Sequence, residues 1–121
     1  MATQILIIDD EPANVRVLSM LLESDGYEVL AAYNGEEGLS VFEENAPHIV
    51  LTDIRMPGID GIEVLRRIKK SDPETEVIII TGHGDIDSAV EALQHGASDF
   101  INKPVRDEAL GVALKRAEEK I

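Results

Sequence analysis

The chain has 121 residues, enough for one domain of ordinary size, and 44% of them are hydrophobic, enough for a real core. There is no cysteine, which excludes disulfides and thiolate metal sites, and no apolar run approaches the length of a membrane span. With 24 acids against 11 bases the net charge is -13, and aromatics are only 3%, so direct nucleic-acid binding by this chain is not expected.

In chain order, the first element is "ILII" at 5–8, a short β-branched run that reads as a strand buried on both faces. It runs straight into Asp9, Asp10 and Glu11. Pro12 then suits the first turn of a helix, with Asp10 or Glu11 as its cap. That helix turns Leu18, Leu21 and Leu22 inward and stops at Gly26. "YEVLAA" at 27–32 alternates, as an edge strand does, with Tyr27, Val29 and Ala31 on one side. A helix near 36–45 presents Leu39 and Phe42. "IVL" at 49–51 is the next buried strand, and a helix near 61–71 follows with Ile62, Leu65 and Ile68 inward. "VIII" at 77–80 is a third buried strand, followed by a helix near 85–95 that ends at Gly96. "SDFI" at 98–101 reads as the other edge strand, and "VRDEALGVALKRAEEKI" as the last helix. No internal repeat or second domain is visible.

Five β-α units with right-handed crossovers predict one α/β domain over 1–121. Its expected form is flavodoxin-like, a (βα)5 parallel sheet of order 2-1-3-4-5 with helices on both faces. Ligands of such sheets bind beyond the carboxyl ends of the strands, at the switch point between strands 1 and 3. Asp9 and Asp10 follow strand 1 and Asp53 ends strand 3, so three carboxylates are expected to converge there. Alone they would repel and raise one another's pKa. A hard divalent cation resolves the conflict, and two or three carboxylates plus water suit Mg²⁺. Thr81 ends strand 4 with a hydroxyl, and Lys103 follows strand 5 with an ammonium. A metal cage, a carboxylate nucleophile, a hydroxyl and a fixed positive charge together suit phosphoryl transfer to Asp53. Gly82 leaves open space beside Thr81 for the group.

The ordered fragments "IDDEP", "LTDIRMPGIDG", "IIITGHGD" and "GASDFINKP" span nearly the whole chain. Together they resemble the response-regulator receiver domains of two-component signalling. "TGHGDIDSAVEALQHGASDFINKP" most resembles receivers of the nitrogen-regulation class and those attached to hybrid sensor kinases. The resemblance implies that Asp53 is the phosphoacceptor. Asp10 would bind Mg²⁺ directly, and Asp9 directly or through water, with the backbone carbonyl of Arg55 as a further ligand. Thr81 and Phe100 would form a switch pair, and Lys103 would contact the phosphoryl group across a cis Lys103–Pro104 bond. The donor would be a phosphohistidine on a sensor histidine kinase or phosphotransfer protein. The receiver would act in the cytoplasm on an output domain or partner protein. It would not be an enzyme in its own right, though it would assist its own phosphorylation and dephosphorylation. Two positions depart from the family's habit: Gly82, where alanine is commoner, and Phe100, where tyrosine is.

Each site residue also has an ordinary reading. Asp10 or Glu11 could cap a helix, Asp53 could be a turn acid, Thr81 a cap, Lys103 a surface lysine and Phe100 a core residue. His83 and His95 read as solvated, and Asp60 and Gly61 as a helix start. Rival functions are a flavin electron carrier, an aspartyl-phosphate hydrolase and a receiver used only for docking. The first needs a Ser/Thr/Gly-rich loop where "DDEP" stands, and the second a nucleophile at the end of strand 1 with a cap domain. The third predicts loss of Asp53 or Lys103, and both are present. Finally, Leu110, Leu114, Ala117 and Ile121 fall at steps of 4, 3 and 4, a seam of coiled-coil type. The receiver core needs the first part of this stripe, and the last turn is expected beyond the sheet; the seam predicts that the last helix runs on past residue 121 into an output domain, and that phosphorylated receivers pair along it as a homodimer.

Overall fold

The computed structural model describes residues 2–82 and 85–121. The five strands are β1 (Gln4–Ile8), β2 (Glu28–Ala32), β3 (Ile49–Asp53), β4 (Glu76–Thr81) and β5 (Asp99–Asn102). They alternate with α1 (Pro12–Ser24), α2 (Gly35–Asn45), α3 (Gly61–Ser71), α4 (Ile86–Gln94) and α5 (Asp107–Glu119). All pairings are parallel, in the order β2-β1-β3-β4-β5. The predicted topology and the two edge strands are therefore those observed.

The apolar runs work as two-faced strands because side chains alternate with period 2. Ile5, Ile7, Ile49, Leu51, Ile78 and Ile80 point to one face, where α1 and α5 cover them with Leu18, Leu22, Leu110 and Leu114. Leu6, Ile8, Val50, Val77 and Ile79 point to the other, under α2, α3 and α4 with Phe42, Leu65, Ile68 and Ala92. Both sides of the sheet are sealed, which leaves its two ends as the places where polar chemistry can be buried. The helix stops at Gly26 and Gly96 are as expected, each with positive φ, 93° and 97°.

Two details differ from expectation. Glu11 occupies the N-cap position of α1, but its side chain makes no capping hydrogen bond, and neither it nor Asp10 caps the helix. The Asp9 carboxylate holds that turn instead, accepting from the Glu11 N–H at 2.9 Å and from Asn14 Nδ2 at 3.4 Å.

The second is the seam. Leu110, Leu114 and Ala117 are buried against the sheet of their own domain, with at most 2% of their surface exposed. Residues already covered intramolecularly cannot also line a dimer seam. The 4-3-4 spacing is the ordinary stripe of a helix packed on a sheet. Ile121 lies past the end of α5 and is exposed. The outward apolar residue on α5 is Val112, which the spacing did not mark.

Candidate functional site

The site is assembled at the carboxyl ends of β1, β3, β4 and β5. Asp9 leaves β1 with its backbone N–H bonded to the Ala32 carbonyl at 3.1 Å, which fixes it at the sheet's rim. Its side chain is 1% exposed. Asp10 is exposed beside it. Asp53 is the last residue of β3 and is 5% exposed. One carboxylate oxygen from each of Asp9, Asp10 and Asp53 lies within 4.8 Å of the other two. The convergence expected from strand order is present.

Asp53 is held from below by a close approach. Gly61, the first residue of α3, donates its N–H to the Ile54 carbonyl at 2.8 Å. A β-carbon at 61 would stand 2.2 Å from the Asp53 carbonyl oxygen and 2.8 Å from the Ile54 α-carbon. Only glycine lets α3 start against the backbone that carries Asp53. Asp60 supplies the cap, accepting from the Glu63 N–H at 2.9 Å.

Lys103 arrives from the loop after β5, across a Lys103–Pro104 bond that is cis. Its Nζ donates to Asp53 Oδ2 at 2.7 Å. Burial alone would pull the ammonium's pKa down. The hydrogen bond and charge of Asp53, helped by Asp9 and Glu11, outweigh that and raise it. The lysine is firmly cationic. Asp9 shows the opposite balance: burial pushes its carboxyl up and the Asp53 charge adds to that. The Glu11 N–H, Lys103 and Asn14 offset the rise only in part. One ammonium therefore serves a cluster of three acids.

That donor set fits a hard divalent cation. Octahedral Mg²⁺ holds oxygens at 2.0–2.1 Å, so opposite ligands stand about 4 Å apart. The three carboxylate oxygens, within 4.8 Å of one another, would draw closer around such an ion.

Thr81 ends β4 with its side chain buried. Its hydroxyl is turned toward β5, donating to Asn102 Oδ1 at 2.8 Å and lying 3.4 Å from the Ile101 carbonyl oxygen. Phe100, on β5, turns outward and is 37% exposed, not a core residue. His95 is exposed, as expected, while His83 lies outside the described residues.

Arg55 stands two residues after Asp53. Its backbone N–H faces Asp53 Oδ1 at 3.4 Å. Its guanidinium reaches across to Asp85, with Nε 3.0 Å from each carboxylate oxygen and Nη2 also bonded to Oδ1. Sequence reasoning missed four participants: Asn14, Gly61, Asp85 and Asn102. Gly61 sits in the "PGIDG" run and was readable only as a helix start. The other three act through side-chain contacts, Asn14 from α1 on Asp9, Asn102 from β5 on Thr81 and Asp85 on Arg55, that their residue types alone do not announce.

Similarity to known proteins agrees with this layout. Residues 5–115 match the response regulator receiver domain. The chain is 42% identical over 113 residues to a transcriptional regulatory protein of Bacillus subtilis, YkoG, covering 93% of this chain and 50% of that protein. It is 39% identical over 123 residues to the nitrogen assimilation regulatory protein NtrX of Azorhizobium caulinodans, covering 100% of this chain and 27% of that protein. A crystal structure of a receiver domain protein from Clostridium thermocellum superposes with a TM-score of 0.94 at 43% identity, covering 98% of this chain and 95% of that one. The chain spans at most half the length of the first curated relatives it matches. The carboxylate cluster thus sits in a fold shared, at high identity, with signalling domains: the chain belongs to the response regulator receiver family of two-component systems.

Proposed function

We propose that the chain accepts a phosphoryl group on Asp53 from a phosphohistidine, carried by a sensor histidine kinase or phosphotransfer protein. The observation that carries this reading is the 2.7 Å contact between Lys103 Nζ and Asp53 Oδ2 inside a cluster of three carboxylates. A carboxylate oxygen of Asp53 attacks phosphorus in line, the phosphorus–nitrogen bond of the donor breaks, and the imidazole leaves with its electron pair. Lys103 offers its charge to the oxygens of the group in flight. Asp9, Asp10, Asp53 and the Arg55 carbonyl would hold Mg²⁺. Bound there, the ion neutralises the acids and shares the phosphoryl charge.

The donor has a place to approach. A cleft of about 590 Å³ opens beside the site between α1 and the loop after β5, lined by Asp9 and Lys103 together with Val17, Leu21 and Val105. Transfer then acts on Thr81 and Phe100. A phosphoryl oxygen on Asp53 competes with Asn102 for the Thr81 hydroxyl, and the space Thr81 vacates admits the Phe100 ring. The equilibrium shifts only by the contacts the phosphoryl group makes in one state and not the other. The changed face, on α4, β5 and α5, signals to an output domain or partner protein in the cytoplasm. It also serves as the surface for a homodimer on phosphorylation, in place of the buried α5 stripe. The domain assists its own phosphorylation and dephosphorylation and turns over no substrate.

The test is incubation with acetyl phosphate and Mg²⁺, with peptide mapping of the product. One phosphoryl group on Asp53 is expected; a label elsewhere with Asp53 untouched overturns the assignment.

A further inference from the structure

Asp85 stands at the N-cap position of α4, where an aspartate ordinarily accepts from the backbone N–H groups of its own helix. It makes no such bond. Its carboxylate, 6% exposed, is given over to the guanidinium of Arg55, thirty residues away, through Nε and Nη2. The Arg55 hydrogen bond is the chief reason that the Asp85 carboxyl is held below its ordinary range. Burial opposes it, while the Arg55 charge and a backbone bond to Gly82 add to it. The arrangement forgoes a helix cap to hold one arginine in place.

That arginine is placed where its freedom would matter. Its backbone N–H is 3.4 Å from Asp53 Oδ1, so its side chain is rooted at the rim of the acid cluster. The side chain is 76% exposed, and among the described residues its ion-pair partner is Asp85. Among the described residues the cluster sets three carboxylates against the ammonium of Lys103. An untethered guanidinium beside it is drawn to the acids, and a guanidinium is well suited to bind carboxylate in two-point fashion.

We propose that Asp85 is a positioning residue for the reaction at Asp53: it holds the Arg55 guanidinium to one side and so reserves the acid cluster for a divalent cation. This rests on the proposed metal-dependent reading of the site. It adds that the cluster's affinity for the ion is set partly by a residue that touches neither the ion nor Asp53.

The test is Mg²⁺ titration of the 121-residue chain followed by NMR, with wild type, Asp85→Asn, Arg55→Gln and the double variant compared. Asp85→Asn keeps the side chain's shape and removes its charge. It is expected to weaken Mg²⁺ binding about fivefold, the scale of one partly exposed ion pair. Removing the released arginine as well is expected to restore affinity to within about twofold of wild type. A role in loop structure alone predicts the reverse, with the double variant as weak as the single one or weaker. The proposal is overturned if Asp85→Asn binds Mg²⁺ as tightly as wild type, or if Arg55→Gln fails to rescue it. Wild-type chain that shows no Mg²⁺-dependent shifts at Asp9, Asp10 or Asp53 would sink the metal reading itself, a separate and distinguishable failure. Spectra recorded before metal is added show whether each variant is folded.

Discussion

Both ends of the sheet bury carboxylates. At the amino ends, Glu76 opens β4 with 7% exposure, accepts from Ser98 Oγ at 2.9 Å and lies 3.8 Å from Lys120 Nζ. It is one acid with a hydroxyl and a cation to itself. At the carboxyl ends, Asp9 and Asp53 are buried as deeply, with Asp10 beside them, and share one lysine. Burying a charge is tolerated when it is paired and hydrogen-bonded, and costly when it is in surplus. The first end follows that rule as structure requires. The second departs from it, and a fold keeps such a surplus where something else supplies the missing charge.

The largest expected effect tests whether the surplus is chemical. Asp53→Asn removes the nucleophile while keeping an oxygen near Lys103, so phosphorylation by acetyl phosphate and Mg²⁺ is expected to vanish in intact mass measurements. Undiminished labelling of the variant would make the carboxyl end no more reactive than the amino end.

Next in size is Gly61→Ala. The added methyl meets backbone rather than a flexible side chain, so β3 or the start of α3 has to move. Overpacking of this kind costs about 1–3 kcal/mol. Because the displaced carbonyl belongs to Asp53, the phosphorylation rate is expected to fall more than tenfold while the chain stays folded, as stopped-flow and thermal melts together would show. A variant that loses stability but keeps its rate would place Gly61 in the scaffold alone.

These two residues also mark how far the sequence could be read. Asp53 was legible because β3 is wholly apolar until its end and because strand order puts that end beside β1. The same logic of strand ends located Asp9, Asp10, Thr81 and Lys103. It could not show that the Thr81 hydroxyl lies on Asn102, since both directions are open to a threonine rotamer. Nor could it show that Asp85 ignores its own helix for Arg55, because capping is the local default and the rival partner is thirty residues away. The α5 stripe was read only in part for a related reason: Leu110 and Leu114 were expected in the core, but steps of 4 and 3 could not show that Ala117 is covered by the sheet as well, because they describe an apolar face equally well whether a sheet or a second helix covers it. Periodicity identifies which residues are covered, and only packing identifies by what.

A third, smaller effect concerns stability without metal. Burial, with the Asp53 charge, raises the Asp9 pKa, against its hydrogen bonds and Lys103. A carboxyl whose folded pKa is raised favours the folded state below its unfolded value, near 3.9, and that contribution is lost as pH rises through the folded pKa. At pH 7 without Mg²⁺, Asp9 therefore works against folding. Asp9→Asn keeps an acceptor for the Glu11 N–H and is expected to raise the melting temperature on the order of 4 °C, about 1 kcal/mol for a domain of this size. The advantage should disappear at acid pH, where wild-type Asp9 is neutral. It should shrink or reverse in saturating Mg²⁺, where wild type gains the free energy of binding. A melting temperature lowered by the substitution at neutral pH without metal would mean that the carboxylate is satisfied after all.

The smallest effect belongs to the amino end and sharpens the contrast most. Glu76→Gln leaves an amide oxygen to accept from Ser98 Oγ, so the one close hydrogen bond survives. What is lost is the attraction to Lys120, at 3.8 Å and with the lysine side chain 57% exposed, a class of pair contributing about 0–1 kcal/mol. The melting temperature is expected to shift by less than about 4 °C, downward, with or without Mg²⁺. The phosphorylation rate is expected to stay at the wild-type value, because Glu76 pairs with Ile49 at the far end of β3 from Asp53. The neutral amide gains nothing here, for the reason opposite to the one that should make it stabilising at position 9. At Glu76 the charge already has its partners, and removing it relieves nothing. A metal-dependent change in melting, or an altered phosphorylation rate, would show that the two ends are coupled through the sheet, and the division between a satisfied end and a reactive one would fall.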